Sequence, residues 1–373
     1  MCIRDRSYWE YKNWLSNIDY TIVGSGIVGL TTALYLKERF PKAKIIILEK
    51  GSLPQGASTK NAGFACFGSA SEVLADLKSH SQEEVVALVE QRFKGIQLLR
   101  KTLGDENIGF QKLGGHELFL NKDENLYHIC RDEIPRLNQL LEPVFSKEVF
   151  KTTANNFAFK VVQEQYITHV EEGQIDTGKL MFSLLQLAAK KHIQILNSVQ
   201  VTRYEQATDK VAVNTDKFDF TAKNLILTTN GFASQLIKEN VKAVRAQVLI
   251  TKPIENLKIK GTFHFDEGYF YFRNIDNRIL FGGGRNLDFK AEETNEFGQT
   301  EIVQKALEDL LKNVILPNQS FNIEHRWSGI MGVGSKKKPI IKQLSNNVFC
   351  GVRLGGMGIA IGSLIGKELA ELV

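Results

Sequence analysis

The feature that most restricts this chain is Gly24-Ser25-Gly26-Ile27-Val28-Gly29, set between an apolar run and a helical pattern. Asp19–Val23 reads as a strand that opens directly into the first glycine. Ile27–Phe40 then repeats its apolar residues at helical spacing, and Pro41 marks the end. Ile45–Leu48 is short and wholly apolar, as expected of a buried parallel strand. The order strand, helix, strand makes a β-α-β unit, because a crossover helix enforces parallel pairing. Within it Gly24 permits a tight turn, Gly26 lets backbone approach a pyrophosphate, and Gly29 lets helix and strand pack closely. Ile27 and Val28 begin the helix, where unpaired N–H groups and the positive dipole end favour phosphate. Glu49 follows Gly29 by twenty residues, at the end of the second strand. A carboxylate there accepts hydrogen bonds from ribose hydroxyls and repels a 2′-phosphate. The combination predicts a dinucleotide site; the alternative is a purely structural glycine-rich turn.

Which dinucleotide is indicated by what comes next. Lys50 is followed by a small, polar loop, Gly56-Ala57-Ser58-Thr59-Lys60-Asn61-Ala62-Gly63-Phe64. Small residues allow close backbone approach. Ser58, Thr59 and Asn61 offer donors and acceptors, Lys60 a cation, and Ala62 and Gly63 no bulk. A simple NAD enzyme would pass to its third strand here, so an extended polar loop suits the ribityl and isoalloxazine parts of FAD better. A surface loop is the competing reading of such a cluster. A third glycine-rich bend lies at the far end, Gly351-Val352-Arg353-Leu354-Gly355-Gly356-Met357-Gly358-Ile359. A strand ends there and a helix begins, so bare N–H groups can face negative charge developing on a reduced flavin. Close packing of that helix on the first β-α-β unit explains the same glycines without a ligand.

Helical patterns occupy Ser81–Leu103, Lys122–Leu141, Asp176–Lys191, Thr300–Leu311 and Met357–Leu372. Strand patterns occupy 161–166, 193–196, 199–204, 211–214, 217–220, 224–228, 245–252, 268–273, 278–282 and 348–351. The expected fold class is α/β, α+β overall: a Rossmann-like FAD-binding domain with an inserted antiparallel-sheet substrate domain. The expected division is an N-terminal arm at 1–17, a discontinuous FAD-binding domain at 18–80, 160–240 and 325–373, and a substrate domain at 81–159 and 241–324. Met1–Arg6 is excluded from the fold as a remnant, and Ser7–Leu15 reads as a short aromatic helix lying on its own domain.

Composition removes other classes. A net charge of +5 in 373 residues, without a basic stripe, argues against nucleic acid as the main partner. The four cysteines, Cys2, Cys66, Cys130 and Cys350, are far apart, so neither zinc nor a disulfide framework is expected and a cytoplasmic setting is. The seven scattered histidines form no metal-binding spacing, and no metal is expected. No nucleophile elbow, signal segment or membrane-spanning run is visible.

Together, the fingerprint, Glu49-Lys50-Gly51, the loop at 56–64, Thr228-Thr229-Asn230-Gly231 and the C-terminal glycine-rich helix resemble the D-amino-acid oxidase (DAO) superfamily. Its glycine oxidase and sarcosine oxidase branch is the most similar, over nearly all of Asp19–Val373. Glu172-Gly173-Gln174-Ile175-Asp176 with Leu180 resembles the family's entry to its central helix. The resemblance implies an FAD domain roofed by an antiparallel sheet, with Val199 at the adenine side and Gly231 in a cofactor-contacting segment. Tyr269, Tyr271 and Arg273 alternate, so they share a face that would line the substrate cavity. Arg273 and Arg353 are candidates to hold a substrate carboxylate, against surface or interdomain ion pairing as the alternative. One departure stands out: Trp327-Ser328-Gly329-Ile330 is followed by Met331, where such enzymes often carry an arginine. Lys336-Lys337-Lys338 reads as a solvated loop, with steering of an anionic substrate the lesser reading. That stretch also lacks a cysteine for covalent flavin, so noncovalent FAD is expected.

The implied activity is oxidation of a C–N bond in an amino acid or related amine, by hydride transfer to flavin N5, giving an imine that water hydrolyses. No side chain is required as an obligatory base. The rivals are a dehydrogenase that uses a quinone or protein acceptor, and a flavin-binding accessory protein without turnover.

Overall fold

A computed structural model describes residues 6–373. Residues 1–5, with Cys2 and most of the Met1–Arg6 stretch, lie outside the described residues.

The fingerprint strand Ile18–Val23 forms the middle of a mixed sheet in the order 340–345, 348–352, 219–227, 18–23, 45–48, 194–196. Ile18–Val23 is parallel to both Asp219–Leu227 and Ile45–Leu48. Its chain goes first to one neighbour and returns much later to the other, so a crevice opens at Gly24, beyond its carboxyl end. The strands Val201–Gln206 and Val211–Thr215 extend this sheet as an antiparallel flap on Asp219–Leu227. Burial of all four residues in Ile45–Leu48 explains its unbroken apolar sequence, since helices or strands cover both faces.

The helix Ile27–Arg39 packs on the final helix Gly358–Leu372 through small residues. A Cβ on Gly362 would lie 2.9 Å from Ile27 Cγ2, and one on Gly366 2.7 Å from Thr31 Cβ. These glycines bring the two helix starts side by side at the crevice. The helix Gln82–Leu103, capped by Ser81 and Glu84, seats Gly95 against the backbone of Ala360.

The second sheet runs in the order 323–333, 242–251, 278–283, 270–275, 262–265, 115–117, 165–169, 150–154. It is antiparallel except where Thr262–Phe265 meets Gly115–Glu117. Phenylalanines at 263, 265, 270, 272 and 281 fill its far side, with Phe263 and Phe272 stacked 4.8 Å apart. The molecule therefore has the expected class, a Rossmann-like parallel sheet with a largely antiparallel second sheet.

The boundaries move. Gln165–His169, expected in the nucleotide-binding segment 160–240, pairs in the second sheet with 115–117 and 150–154. Ile323–Val333 begins before 325, and its nine residues inside the expected 325–373 segment also belong to the second sheet, along Lys242–Thr251. Gln82–Leu103, expected in the substrate domain, packs against the final helix of the nucleotide-binding layer. The physical reason is that register partners, not proximity in sequence, set sheet membership. At the N-terminus, Tyr8–Glu10 and Tyr11–Leu15 form a short helical arm that inserts Leu15 beneath the parallel sheet.

Candidate active site

One cavity of about 900 Å³ begins at the fingerprint, passes the 56–64 loop and ends beneath the second sheet. Gly24 makes the turn at φ 102°, a left-handed value that only glycine adopts easily, and Thr228 Oγ1 ties it down by donating to Val23 O at 2.8 Å and Gly24 O at 3.1 Å. Ser58 Oγ accepts from Ile27 N at 3.0 Å, which fixes the loop against the helix start. Glu49 is buried and organises the turn: it accepts Ser25 N at 3.0 Å, Ser25 Oγ at 2.7 Å and Gly51 N at 3.0 Å. A carboxylate has about four acceptor positions, so ribose hydroxyls can still be bound there.

Two helix starts face this space. Among the described residues, at the first no hydrogen bond is donated by the N–H of Gly26, Val28 or Gly29, and at the second none by Gly356, Gly358 or Ile359. A Cβ added at Gly355, Gly356 or Gly358 would meet nothing within 4 Å, so this bend borders open volume. The donors, the dipole ends and the volume fit a dinucleotide: phosphates at the first helix start, and an electron-rich ring edge at the second. Gly24, Gly26, Ile27, Val28, Glu49, Lys50, Ser58, Lys60, Asn61, Ala62, Gly63, Val199, Gly355, Gly356, Met357, Gly358 and Ile359 all line the cavity.

Three of the expected contacts stand behind the wall. A Cβ on Gly29 would overlap Gly24 O, so this glycine serves helix–strand packing. Thr59 Oγ1 donates to Pro54 O at 2.6 Å and shapes the loop. Gly231 sits under the Met331 backbone, where a Cβ would be 2.7 Å from Met331 O.

The second sheet supplies the other end. Tyr269 and Tyr271 line the cavity, with Tyr271 edge-on to Phe64 at 5.6 Å. Burial pushes the Tyr271 phenol up to about 12, so it stays a neutral donor. Val248, Ile330 and Met331 make the adjoining wall apolar.

The two arginines expected to hold a carboxylate are placed elsewhere. Arg273 is buried away from the main cavity and donates to Gly63 O at 3.1 Å and Ile175 O at 2.5 Å. It straps the second sheet to the cofactor loop, and burial lowers its pKa to about 10. Arg353 adopts φ 65° and turns outward to Lys338 O at 2.9 Å and Asn240 O at 3.1 Å. The alternation was legible, but which carbonyls cross from other segments was not.

The site also contains Glu172, His264 and Arg285, which sequence reasoning did not place in it, and Lys337, read from the sequence as part of a solvated loop. Glu172 lines the cavity and accepts Phe67 N at 2.6 Å and Gly68 N at 3.1 Å, fixing the Phe64–Ser69 segment as a floor. Burial pushes its carboxyl upward, against the opposing pull of those bonds and of His264. His264 lines the same end, and its Nε2 is buried with no hydrogen-bond partner among the described residues. Lys337 is neutralised by Asp76 at 2.5 Å. Arg285 lines the cavity from the turn after Arg278–Gly283; the glycine run 282–284 that precedes it was the available signal for that turn.

A family model described as FAD dependent oxidoreductase, DAO, matches residues 19–372. The chain belongs to the DAO family. Gamma-glutamylputrescine oxidoreductase of Escherichia coli (strain K12) is 23% identical, the alignment covering 95% of this chain and 83% of that protein. The uncharacterized oxidoreductase YurR of Bacillus subtilis (strain 168) is 22% identical over 95% of this chain and 94% of its own. Among solved structures, glycine oxidase from Bacillus cereus ATCC 14579 has a TM-score of 0.77 at 15% identity, covering 95% of this chain and 94% of its own. L-proline dehydrogenase from P. horikoshii gives 0.76 at 17%, over 95% and 93%. The last two are likenesses of fold. As a DAO-family protein the chain is an FAD-dependent oxidoreductase. No helix among the described residues is long and apolar enough to cross a membrane.

Proposed function

We propose that this DAO-family protein oxidises the C–N bond of an amine or amino acid at the covered end of the cavity, with FAD held noncovalently. Bound FAD supplies the hydride acceptor; the chain supplies position and surroundings. The observation that carries the reading is convergence: two helix starts with unbonded N–H groups share one cavity, which continues under the antiparallel sheet.

Gly24, Gly26 and Val28 would hold the pyrophosphate, Glu49 and Val199 the adenosine side, and Ser58 to Gly63 the ribityl side. The helix start at Gly356–Ile359 would face the ring edge where negative charge grows, and so favour reduction. Tyr271, Val248, Ile330 and Met331 close the substrate end with a mostly apolar wall. Such a wall favours the neutral amine, whose lone pair assists loss of hydride from the adjacent carbon, and water then hydrolyses the imine product. No residue needs to act as an obligatory base. Noncovalent retention is supported by Cys66, the one cysteine lining the cavity among the described residues. Burial, then Glu172 and Glu72, push its thiol well above the ordinary range, so little thiolate exists to attack a ring.

The test is anaerobic mixing of the FAD-loaded protein with glycine, sarcosine, D- and L-amino acids and simple alkylamines. Bleaching of the flavin by at least one class is expected; colour that survives the whole panel refutes the reading. Acid precipitation should leave the flavin in the supernatant. Peroxide release in air separates an oxidase from a dehydrogenase with another acceptor.

A further inference from the structure

We infer that Arg285 forms an anion subsite at the outer end of the cavity, and that the substrate is an amine whose carboxylate lies several bonds from the oxidised carbon. The inference rests on the amine-oxidation reading above.

The wall near the cofactor loop offers a carboxylate little. Met331, Ile330 and Val248 are apolar, Arg273 is committed to Gly63 O and Ile175 O, and Arg353 faces away. Lys337 is paired with Asp76, and Lys60 rests over the Phe297 ring at 5.2 Å on the loop side. Arg285 differs from all of these. It lines the cavity from the second sheet, and among the described residues its guanidinium has neither a carboxylate within 4.0 Å nor a hydrogen-bond acceptor.

Its place is built. Gly284 turns at φ 74°, and its N–H donates to Tyr269 O at 2.9 Å, which locks the Arg285 turn beside Tyr269. The guanidinium then lies 4.9 Å from the Phe289 ring centre and 6.0 Å from that of Tyr269. Those rings flank the guanidinium on its apolar sides, edge to face with each other at 5.8 Å, and its forked N–H groups are of the type that grips a carboxylate. Among the acids lining the same cavity, Glu267 and Glu296 are solvent-exposed, where screening weakens their field, and Glu72 is half-buried and accepts the Ser69 N–H at 3.0 Å.

Distance decides the substrate class. Tyr271 touches Phe64, the residue after the cofactor loop, whereas Arg285 stands over Tyr269. Tyr269 ends the turn just before the strand Phe270–Ile275 and still accepts the Gly284 N–H, so it stands beyond the strand's start, about 7 Å from Tyr271 at strand spacing. A carboxylate on the same carbon as the reacting amine cannot reach both ends; one carried on a chain of several methylenes can, with its stem along the apolar wall.

The probes are pentanoate, 5-aminopentanoate, pentylamine and glycine, titrated anaerobically into FAD-loaded protein and followed by flavin absorption and calorimetry. Wild type should bind 5-aminopentanoate at least 10-fold more tightly than pentylamine or glycine. Arg285→Met should weaken pentanoate and 5-aminopentanoate by about 10- to 100-fold, the usual worth of a hydrogen bond to a charged group, and Arg285→Lys should restore part of it. Unchanged pentanoate affinity in Arg285→Met, or tighter binding of glycine than of 5-aminopentanoate, overturns the subsite. If no amine bleaches the flavin yet pentanoate binding depends on Arg285, the oxidation reading fails and the anion subsite stands. If amines bleach it and pentanoate ignores Arg285, only the subsite fails.

Discussion

His169 is the group through which acid should attack this fold. It lies at the end of the Gln165–His169 strand, nearly inaccessible, with ring centres of Phe67, Phe145 and Phe150 at 5.5, 5.2 and 4.9 Å. Neither ring nitrogen has a hydrogen-bond partner among the described residues. Burial outweighs the opposing pull of Glu171 and drops its pKa from 6.5 to about 3, so the native ring stays neutral near pH 5. In the unfolded chain the ring has its ordinary value of 6.5 and binds a proton there. The sign follows: the unfolded state takes up more protons as pH falls below 6.5, so native stability is lost on acidification until the native ring itself titrates. Between pH 7.5 and pH 5 one such group costs about 2 kcal/mol, at about 1.4 kcal/mol per pH unit below 6.5. His169→Leu removes that dependence whatever it does to packing, so the slope is the measurement and the offset is not. Urea unfolding of both proteins at pH 7.5, 6 and 5 should show wild type losing about 2 kcal/mol more than the variant across that range. Parallel losses would refute a neutral, unpartnered imidazole behind the cavity floor.

Two further outcomes address the site. Gly26→Leu should fold, because Gly26 has φ −76° and a Cβ there meets only the movable Ser58 Oγ at 2.8 Å, yet its side chain would occupy the phosphate space. Purified variant should therefore keep its far-ultraviolet circular dichroism and lose at least 10-fold in FAD affinity; full retention of the yellow colour contradicts the fingerprint assignment. Arg273→Met leaves Ile175 O without this donor and Gly63 O with the Ile175 N–H at 2.9 Å, which should cost about 1–3 kcal/mol and lower the thermal midpoint. If it instead weakens carboxylate binding with the midpoint unchanged, Arg273 belongs to the substrate site rather than to the strap.

The nucleotide-binding half was legible because its signals are local. Gly24 needs a backbone that other residues avoid, Glu49 ends a strand at a set distance, and the apolar run Ile45–Leu48, short and set between breakers after a helix, reads as a buried strand. Each is a demand on neighbouring residues, so it is written in neighbouring residues. The 56–64 loop and the glycines at 355–358 were found in the same way, and both border the cavity. Ile323–Val333 was not legible: its glycines and charged residues obscure the alternation, and only pairing along Lys242–Thr251 makes it a strand. The same holds for the arginines. Sequence alternation places Tyr271 and Arg273 on one face, but carbonyls of Gly63 and Ile175, from two other segments, capture Arg273, while Arg285 two strand-turns away is left free.

By itself, then, the order of residues determined the α/β class, the turn at Gly24, the acidic strand end at Glu49 and the glycine-lined bends, because steric and hydrogen-bonding requirements within about ten residues decide them. Tertiary structure alone decided which strands joined which sheet, which arginine was consumed by backbone carbonyls and which still faced the cavity. Those outcomes depend on partners scores of residues apart, whose meeting is set by the balance of burial and hydrogen bonding over the whole molecule.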